Sequence, residues 1–128
     1  MSHLGIYTTS IKKTNPEIAK RAVMLIAHKY NAIVKDSIRG YMNRQYKCLA
    51  GFNCPDIPFG IGVKITDEGR LQIIGDSYKS TVFDEVKQAI EDRYKAIVFA
   101  QALQRLGYSV KTIENKKMQE IVIEAVSA

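Results

Sequence analysis

An alternation of apolar residues in the middle of the chain is the feature that most constrains its fold. The apolar side chains occupy every second position: Phe59, Ile61, Val63 and Ile65. The turn-forming segment 67–69 follows, and a second apolar run covers residues 71–74. A period of two places alternate side chains on one face of a strand, and a polar turn with glycine joins two such strands. The segment therefore predicts a β-hairpin with one buried face.

Two helical patterns flank this hairpin. Asn15 before Pro16 predicts a capped helix start, and the apolar stripe that follows contains Ala19, Ala22, Val23, Ile26, Tyr30 and Ile33. Thr81 and Asp84 resemble a capping box, which predicts that a second helix begins there and ends near Gly107. Each helix needs a partner surface for its apolar stripe.

Weaker patterns supply further strands and complete the predicted order of elements. Residues 5–12 fit one strand, residues 33–52 one or two strands, and residues 108–113 with 121–126 a closing hairpin. Hairpin-joined strands favour antiparallel pairing, and helices with one apolar stripe pack on one face of such a sheet. We therefore expect one α+β domain over residues 1–128, with a mostly antiparallel sheet, two helices on one face and a ferredoxin-like character.

Positive charge is concentrated in the first part of the chain. Residues 1–50 contain nine Lys or Arg and two Asp or Glu, a net charge of +7, whereas the whole chain carries +6. A one-sided positive field attracts polyanions. This asymmetry favours a binding module for RNA or single-stranded DNA.

Cations alternate with aromatic rings after the first helix, as in proteins that bind single strands. Arg39, Gly40, Tyr41 and Tyr46 partly match the motif that places stacking rings on RNA-recognition domains. The predicted contact residues are Lys20, Arg21, His28, Lys35, Arg39, Tyr41, Arg44, Tyr46 and Lys47. The alternative is a half-exposed strand whose tyrosines pack on the sheet and whose cations are only solvated.

The second half of the second helix is apolar on nearly every side. Its apolar residues are Ile97, Val98, Phe99, Ala102, Leu103 and Leu106. One sheet face covers only one side of a helix, so this set predicts a homo-oligomer interface or the small subunit of a complex. The alternative is that flanking strands enclose the helix within one chain.

The sequence does not point to a cofactor, a metal site or catalysis. Five residues lie between Cys48 and Cys54, unlike the closer pairs of zinc sites, and we expect reduced, inert thiols. No Ser, His and Asp set with a strained nucleophile turn is visible. No apolar run is long enough to span a bilayer and no signal peptide is visible, so we expect an intracellular, cytoplasmic protein.

Several short motifs resemble one family of small proteins of about this length. They are residues 1–3, Ile38 to Tyr41, Ile61 to Val63, and Arg93–Tyr94 followed by Gly107–Tyr108. That family comprises hypothetical open reading frames of unknown function in algal plastid and cyanobacterial genomes. The chain departs from it in having no tryptophan before the long helix. The resemblance implies an α+β protein of the cytoplasm or plastid stroma, and it implies no reaction.

Overall fold

A five-stranded antiparallel sheet organises the protein. The computed structural model describes residues 4–115 and 120–127, with side chains described for residues 4–107. The elements are β1 Gly5–Thr8, α1 Pro16–Lys29, β2 Lys35–Arg39, β3 Gln45–Cys54, β4 Ile57–Ile65, β5 Leu71–Gly75, α2 Phe83–Arg105, β6 Tyr108–Asn115 and β7 Glu120–Ser127. The strand order is β1-β5-β4-β3-β2, and β6 pairs with β7 in a separate two-stranded sheet.

This architecture confirms the predicted α+β fold. The β4–β5 hairpin pairs Ile65 with Leu71 and Val63 with Ile73 around the predicted turn, and β6 and β7 form the predicted closing hairpin. Residues 33–52 supply two strands, and the first strand is shorter than expected because it ends at Thr8. Each strand pair among the described residues is antiparallel, and the ferredoxin-like arrangement is not confirmed.

The N-terminal cap of α1 forms as predicted. Asn15 Oδ1 accepts hydrogen bonds from the backbone N–H groups of Glu17 at 2.9 Å and Ile18 at 3.2 Å. Asn31 has φ +54°, which turns the chain away after the helix ends at Lys29. The prediction that Ile33 belongs to the buried stripe is therefore wrong, because its side chain lies beyond the helix and is 76% exposed.

The predicted capping box of α2 does not form. Val82 is the N-cap and makes no side-chain capping bond, and its backbone N–H donates instead to Ser80 Oγ at 3.3 Å. The buried side chains on one face of α2, from Phe83 to Tyr94, stabilise this end of the helix instead. The Tyr94 hydroxyl also accepts a hydrogen bond from Asn15 N at 2.8 Å, which links α2 to the start of α1.

The core lies between the helices and one face of the sheet. Both helices contact each other and β4, and α1 also contacts β3. The buried cluster joins these elements and contains, among others, Ala22, Val23, Ile26, Phe52, Ile61, Val63, Leu71, Ile73, Phe83, Val86 and Ile90. Burial of such aliphatic and aromatic side chains contributes roughly 1.5–3 kcal/mol each, so this layer holds the fold together.

Two irregularities bend β3 and β4. Phe52 is opposite Ile61 and Cys54 is opposite Ile57, so β4 carries extra residues between these pairs. Gly60 lies in this bulge with φ +81°, where a side chain would be strained and would also meet Ile38 and Asn53. The bulge interrupts the expected alternation of side chains at Phe59. This residue is half-buried and contacts the rings of Tyr41 and Tyr78 instead of joining the buried face.

The second irregularity lies in the pairing of β2 with β3. Lys35 is opposite Gly51 and Ser37 is opposite Lys47, so β3 carries the extra residues here. Ile38 is buried where Gly51 and Gly60 leave room for it, outside the main core cluster. The side chains that alternate with Ile38 along β2 consequently point away from this contact.

Candidate nucleic-acid interface

The structure divides the predicted contact residues between α1 and the segment 35–47, which we call the basic ribbon. Lys20, Arg21 and His28 lie on α1, whereas the other predicted residues belong to the ribbon. One cleft is lined by Lys20 and Arg21 and another by Lys35 and Arg39, and the two share no lining residue. The predicted residues therefore fall into two groups on separate elements.

Three lysines of the helices have acidic neighbours one turn away. Lys20 pairs with Glu17 at 3.8 Å, Lys87 with Asp84 at 3.6 Å and Lys95 with Glu91 at 3.7 Å. Exposed pairs of this kind contribute little to stability, but they partly neutralise the helix surface. The α1 face is thus less positive than its count of basic residues suggests.

The cations of the basic ribbon are not neutralised in this way. Within residues 4–107, Lys35, Arg39, Arg44 and Lys47 form no ion pair, and all four are exposed. Ser37 is directly opposite Lys47 and Arg39 is opposite Gln45, so these side chains share one face of the ribbon. Lys35 precedes them on the same strand. The ribbon therefore presents unpaired positive charge on a defined surface.

Asn53 fixes the end of β2. Its Oδ1 accepts from Arg39 N at 2.9 Å, and its Nδ2 donates to Arg39 O at 2.6 Å and to Pro58 O at 2.9 Å. This one side chain joins the end of β2 to the start of β4. It holds the backbone of Arg39 in place while the guanidinium remains exposed.

The turn between β2 and β3 presents Tyr41 to solvent. Gly40 N donates to Arg44 O at 2.7 Å, and Met42 and Asn43 have φ +58° and +59°. Left-handed backbone at a non-glycine residue costs free energy and is often found at functional sites. Tyr41 therefore lies in a turn and not on a strand, and Tyr46 is half-buried with its ring against Gly40.

Three aromatic rings follow one another beside this turn, and we call them the aromatic row. Tyr41 and Phe59 meet edge to face with centroids 5.7 Å apart, and Phe59 and Tyr78 stack at 5.8 Å. Tyr41 is 45% and Tyr78 42% exposed. Lys79 Nζ lies 5.7 Å from the Tyr78 ring centroid, so a cation borders the row.

Asp76 positions the far end of the aromatic row. Its buried carboxylate accepts a hydrogen bond from Tyr78 N at 2.9 Å, which forms the turn that exposes the Tyr78 ring. Sequence reasoning missed Phe59 and Tyr78 as site residues. Gly60 inside a strand was the available signal, because such a glycine often marks a bulge that redirects its neighbours.

The cysteines are free thiols in two environments. Cys54 is buried in the core cluster. Burial, reinforced by Asp36 and opposed by Lys64, raises the pKa of Cys48 to about 11, so its thiol is neutral near pH 7. Among the described residues, no three His, Cys, Asp or Glu side chains are grouped to hold a metal ion.

The apolar second half of α2 is only partly covered. Ile97 packs against the core and Leu103 is half-buried, whereas Val98 and Ala102 are exposed. Phe99 is 53% and Leu106 74% exposed. The predicted interface residues thus separate into a side that packs within the chain and a side that faces solvent.

Comparison with known proteins does not identify a relative. No protein-family model matches the chain, and searches of curated proteins and of solved structures also find no match. The resemblance to the plastid and cyanobacterial reading frames stays a prediction. None of the helices in the described part of the chain is long and apolar enough to cross a membrane.

Proposed function

We propose that this protein binds single-stranded RNA or DNA through the basic ribbon and the aromatic row. The observation that carries the proposal is that unpaired cations and an exposed ring lie close together along the chain: Arg39 ends β2, and Tyr41 begins the aromatic row two residues later. Cations follow the phosphates of a single strand while rings stack on its bases. The cations of α1 are outside this proposed surface.

The distribution of charge supports a nucleic-acid single strand that crosses both the basic ribbon and the aromatic row. Phosphates would contact Lys35, Arg39, Arg44 and Lys47, which have no acidic partner within residues 4–107. The buried carboxylate of Asp76 lies next to Tyr78, a place that suits a base more than a phosphate. Stacking also requires unpaired bases, so a single strand is favoured over a duplex.

Salt dependence tests the ionic part of the proposal. Fluorescence anisotropy with a labelled single strand of roughly ten nucleotides should give a slope of log affinity against log salt of about −3 if four cations contact phosphates. Arg44→Gln should reduce that slope by about 0.7, and Arg21→Gln on α1 is the matched control. No binding at low salt, or an equal effect of Arg21→Gln, would contradict the proposal.

Ring removal tests the stacking part. Tyr78→Ala should weaken single-strand binding by about 1–3 kcal/mol, and Tyr41→Ala by a similar amount. Met24→Ala removes an exposed apolar side chain from α1 and is the control. Duplex of the same sequence should bind more weakly than the single strand. Equal affinity for both forms, with no effect of Tyr78→Ala, would leave only a non-specific cationic surface.

A second proposal concerns self-association through α2. The exposed side chains of Val98, Phe99 and Leu106 favour a homodimer, the commonest closed assembly. Light scattering over a dilution series should give a dimer mass that Phe99→Glu converts to a folded monomer. A monomer at all concentrations would reject this proposal.

The cytoplasmic or plastid-stromal location also stays a prediction, which localisation of a fluorescent fusion would check.

A further inference from the structure

A cleft of about 410 Å³ lies beside β2. Its walls come from the α1–β2 connection, from alternate residues of β2, and from two places on β3. The lining residues are Asn31, Ala32, Ile33, Lys35, Ser37, Arg39, Gln45, Phe52 and Asn53. Small-molecule sites have volumes of roughly 300–1,000 Å³, so the cleft is large enough for a compact ligand such as a mononucleotide.

The polar groups of this cleft favour an anion. Lys35 and Arg39 are its charged residues, and no carboxylate lines it. The Ser37 hydroxyl donates to Gln45 Oε1 at 3.1 Å, which leaves the two N–H groups of the Gln45 amide as further donors. A site that offers donors and positive charge but no acidic side chain suits a phosphate group.

The cleft is held in shape by contacts that a ligand does not have to form. Asn53 uses its amide on the backbone of Arg39 and Pro58, and Phe52 is fully buried at the cleft wall. Asn31 is held in the turn after α1, where its N–H donates to His28 O at 3.2 Å. Preformed walls reduce the entropy that binding would otherwise cost.

We propose that this cleft binds the phosphomonoester of a nucleotide, either a free mononucleotide or the terminal phosphate of a strand. A phosphomonoester carries a charge of about −1.5 to −2 near pH 7, which two cations match better than they match the single charge of an internal phosphodiester. Ala32 and Ile33 provide an apolar wall for the nucleoside. The strand-end form rests on the proposed function, whereas the free-nucleotide form does not.

Titration with AMP, adenosine and inorganic phosphate, followed by amide chemical shifts, tests the cleft directly. AMP should shift the amides around Ser37 and Gln45, and adenosine should not. Lys35→Gln and Arg39→Gln should each weaken AMP binding about tenfold or more, since each removes a charged hydrogen bond. Lys64→Gln, an exposed cation on β4 that does not line the cleft, should leave AMP affinity unchanged.

Matched oligonucleotides separate this proposal from the proposed function. A strand with a 5′- or 3′-phosphate should bind more tightly than the same strand with hydroxyl ends, and Lys35→Gln should abolish the difference. Tyr78→Ala should weaken both strands equally and leave AMP binding intact. If the affinity for the strand does not depend on its terminal phosphate and AMP does not bind, the proposal for the cleft is wrong and the proposed function still holds. AMP binding that depends on Lys35, without strand binding, would do the reverse.

Two results would also overturn the cleft as a nucleotide site. One is equal binding of AMP and adenosine, which would show that the phosphate contributes nothing. The other is an equal loss of AMP affinity in Lys64→Gln and Lys35→Gln, which would indicate a diffuse charge effect. Lys35→Gln and Lys64→Gln replace exposed side chains, and their unfolding midpoints should match that of the unmodified protein.

Discussion

The β4–β5 hairpin and the basic ribbon are both antiparallel strand pairs, yet they use their side chains in different ways. From Ile61 onward, the hairpin directs alternate apolar side chains into the core between the sheet and the helices. The ribbon buries Ile38 alone among the residues of β2 and leaves Lys35 and Arg39 exposed and unpaired within residues 4–107. The hairpin thus contributes more to the buried core, and the ribbon carries the exposed charge of the proposed binding surface. Five predictions test this contrast.

The largest expected effect is on the stability of the hairpin. Ile61→Ala should lower the free energy of unfolding by about 3 kcal/mol, because Ile61 is fully buried and its loss leaves a cavity. Arg39→Gln in the ribbon should change it by less than about 0.5 kcal/mol. Urea unfolding of both variants measures the difference. Equal losses would show that the ribbon contributes to stability as much as the hairpin does.

The reactivity of Cys48 tests the packing where the ribbon meets the sheet. With a pKa of about 11, Cys48 near pH 8 should have a thiolate fraction about a hundredfold below that of a thiol with pKa 9. Its reaction with a disulfide reagent should therefore be slow and should accelerate up to about pH 11. The part of the thiol reaction that is absent from the Cys48→Ala variant belongs to Cys48. Fast reaction at pH 8 would mean that the ribbon does not cover this thiol.

The raised pKa of Cys48 also predicts how the stability of the protein changes with pH. Because the folded state binds the Cys48 proton more tightly than the unfolded chain does, the thiol contributes its stabilisation below about pH 9 and loses it as the pH rises towards about 11. The difference in unfolding free energy between the unmodified protein and Cys48→Ala should fall across that interval. A difference that is constant with pH would contradict the raised pKa.

Removal of the Asn53 side chain should uncouple the ribbon from β4. Asn53→Ala breaks three hydrogen bonds to backbone groups and should cost about 2 kcal/mol of unfolding free energy. Gln104→Ala, at an exposed position of α2, is the comparison for a lost amide. Thermal unfolding of both variants measures the effect. If Asn53→Ala is no more damaging than Gln104→Ala, the Asn53 hydrogen bonds do not stabilise the end of β2.

The smallest expected effect is in the turn of the ribbon. Met42→Gly should stabilise the protein by up to about 1 kcal/mol, because glycine adopts the left-handed backbone without strain and the exposed Met42 side chain packs little. Met24→Gly in the middle of α1 should instead destabilise it by about 1 kcal/mol. Thermal unfolding distinguishes the two. Destabilisation by Met42→Gly would mean that this side chain makes a contact of its own.

Local signals explain which parts of the fold were predictable. The Asn15 cap, the stripe of α1 from Ala19 to Ile26 and the turn between β4 and β5 depend on residues that are close in sequence, and all three form as predicted. The end of α1 was misjudged because the left-handed Asn31, and not a loss of apolar residues, ends the helix. Thr81 could not act as a cap because the helix begins one residue too late for it.

The candidate site was harder to predict because long-range packing determines it. Cations in the segment 35–47 were identified from sequence, but their separation from α1 was not. Gly60 redirects Phe59 towards Tyr78, nineteen positions later in the chain, and no local pattern links those two rings. The cleft beside β2 likewise depends on Asn31 and Asn53, which neither charge nor periodicity distinguishes from other polar residues.

The amide of Asn53 has a consequence for behaviour at high concentration. A strand at the margin of a sheet exposes backbone groups on which another chain can build, and this is a common route to aggregation. By occupying both the N–H and the C=O of Arg39, Asn53 removes the terminal attachment point on β2. We therefore expect the Asn53 side chain to limit the pairing of β2 with another chain, and we expect Asn53→Ala to aggregate more readily at high concentration.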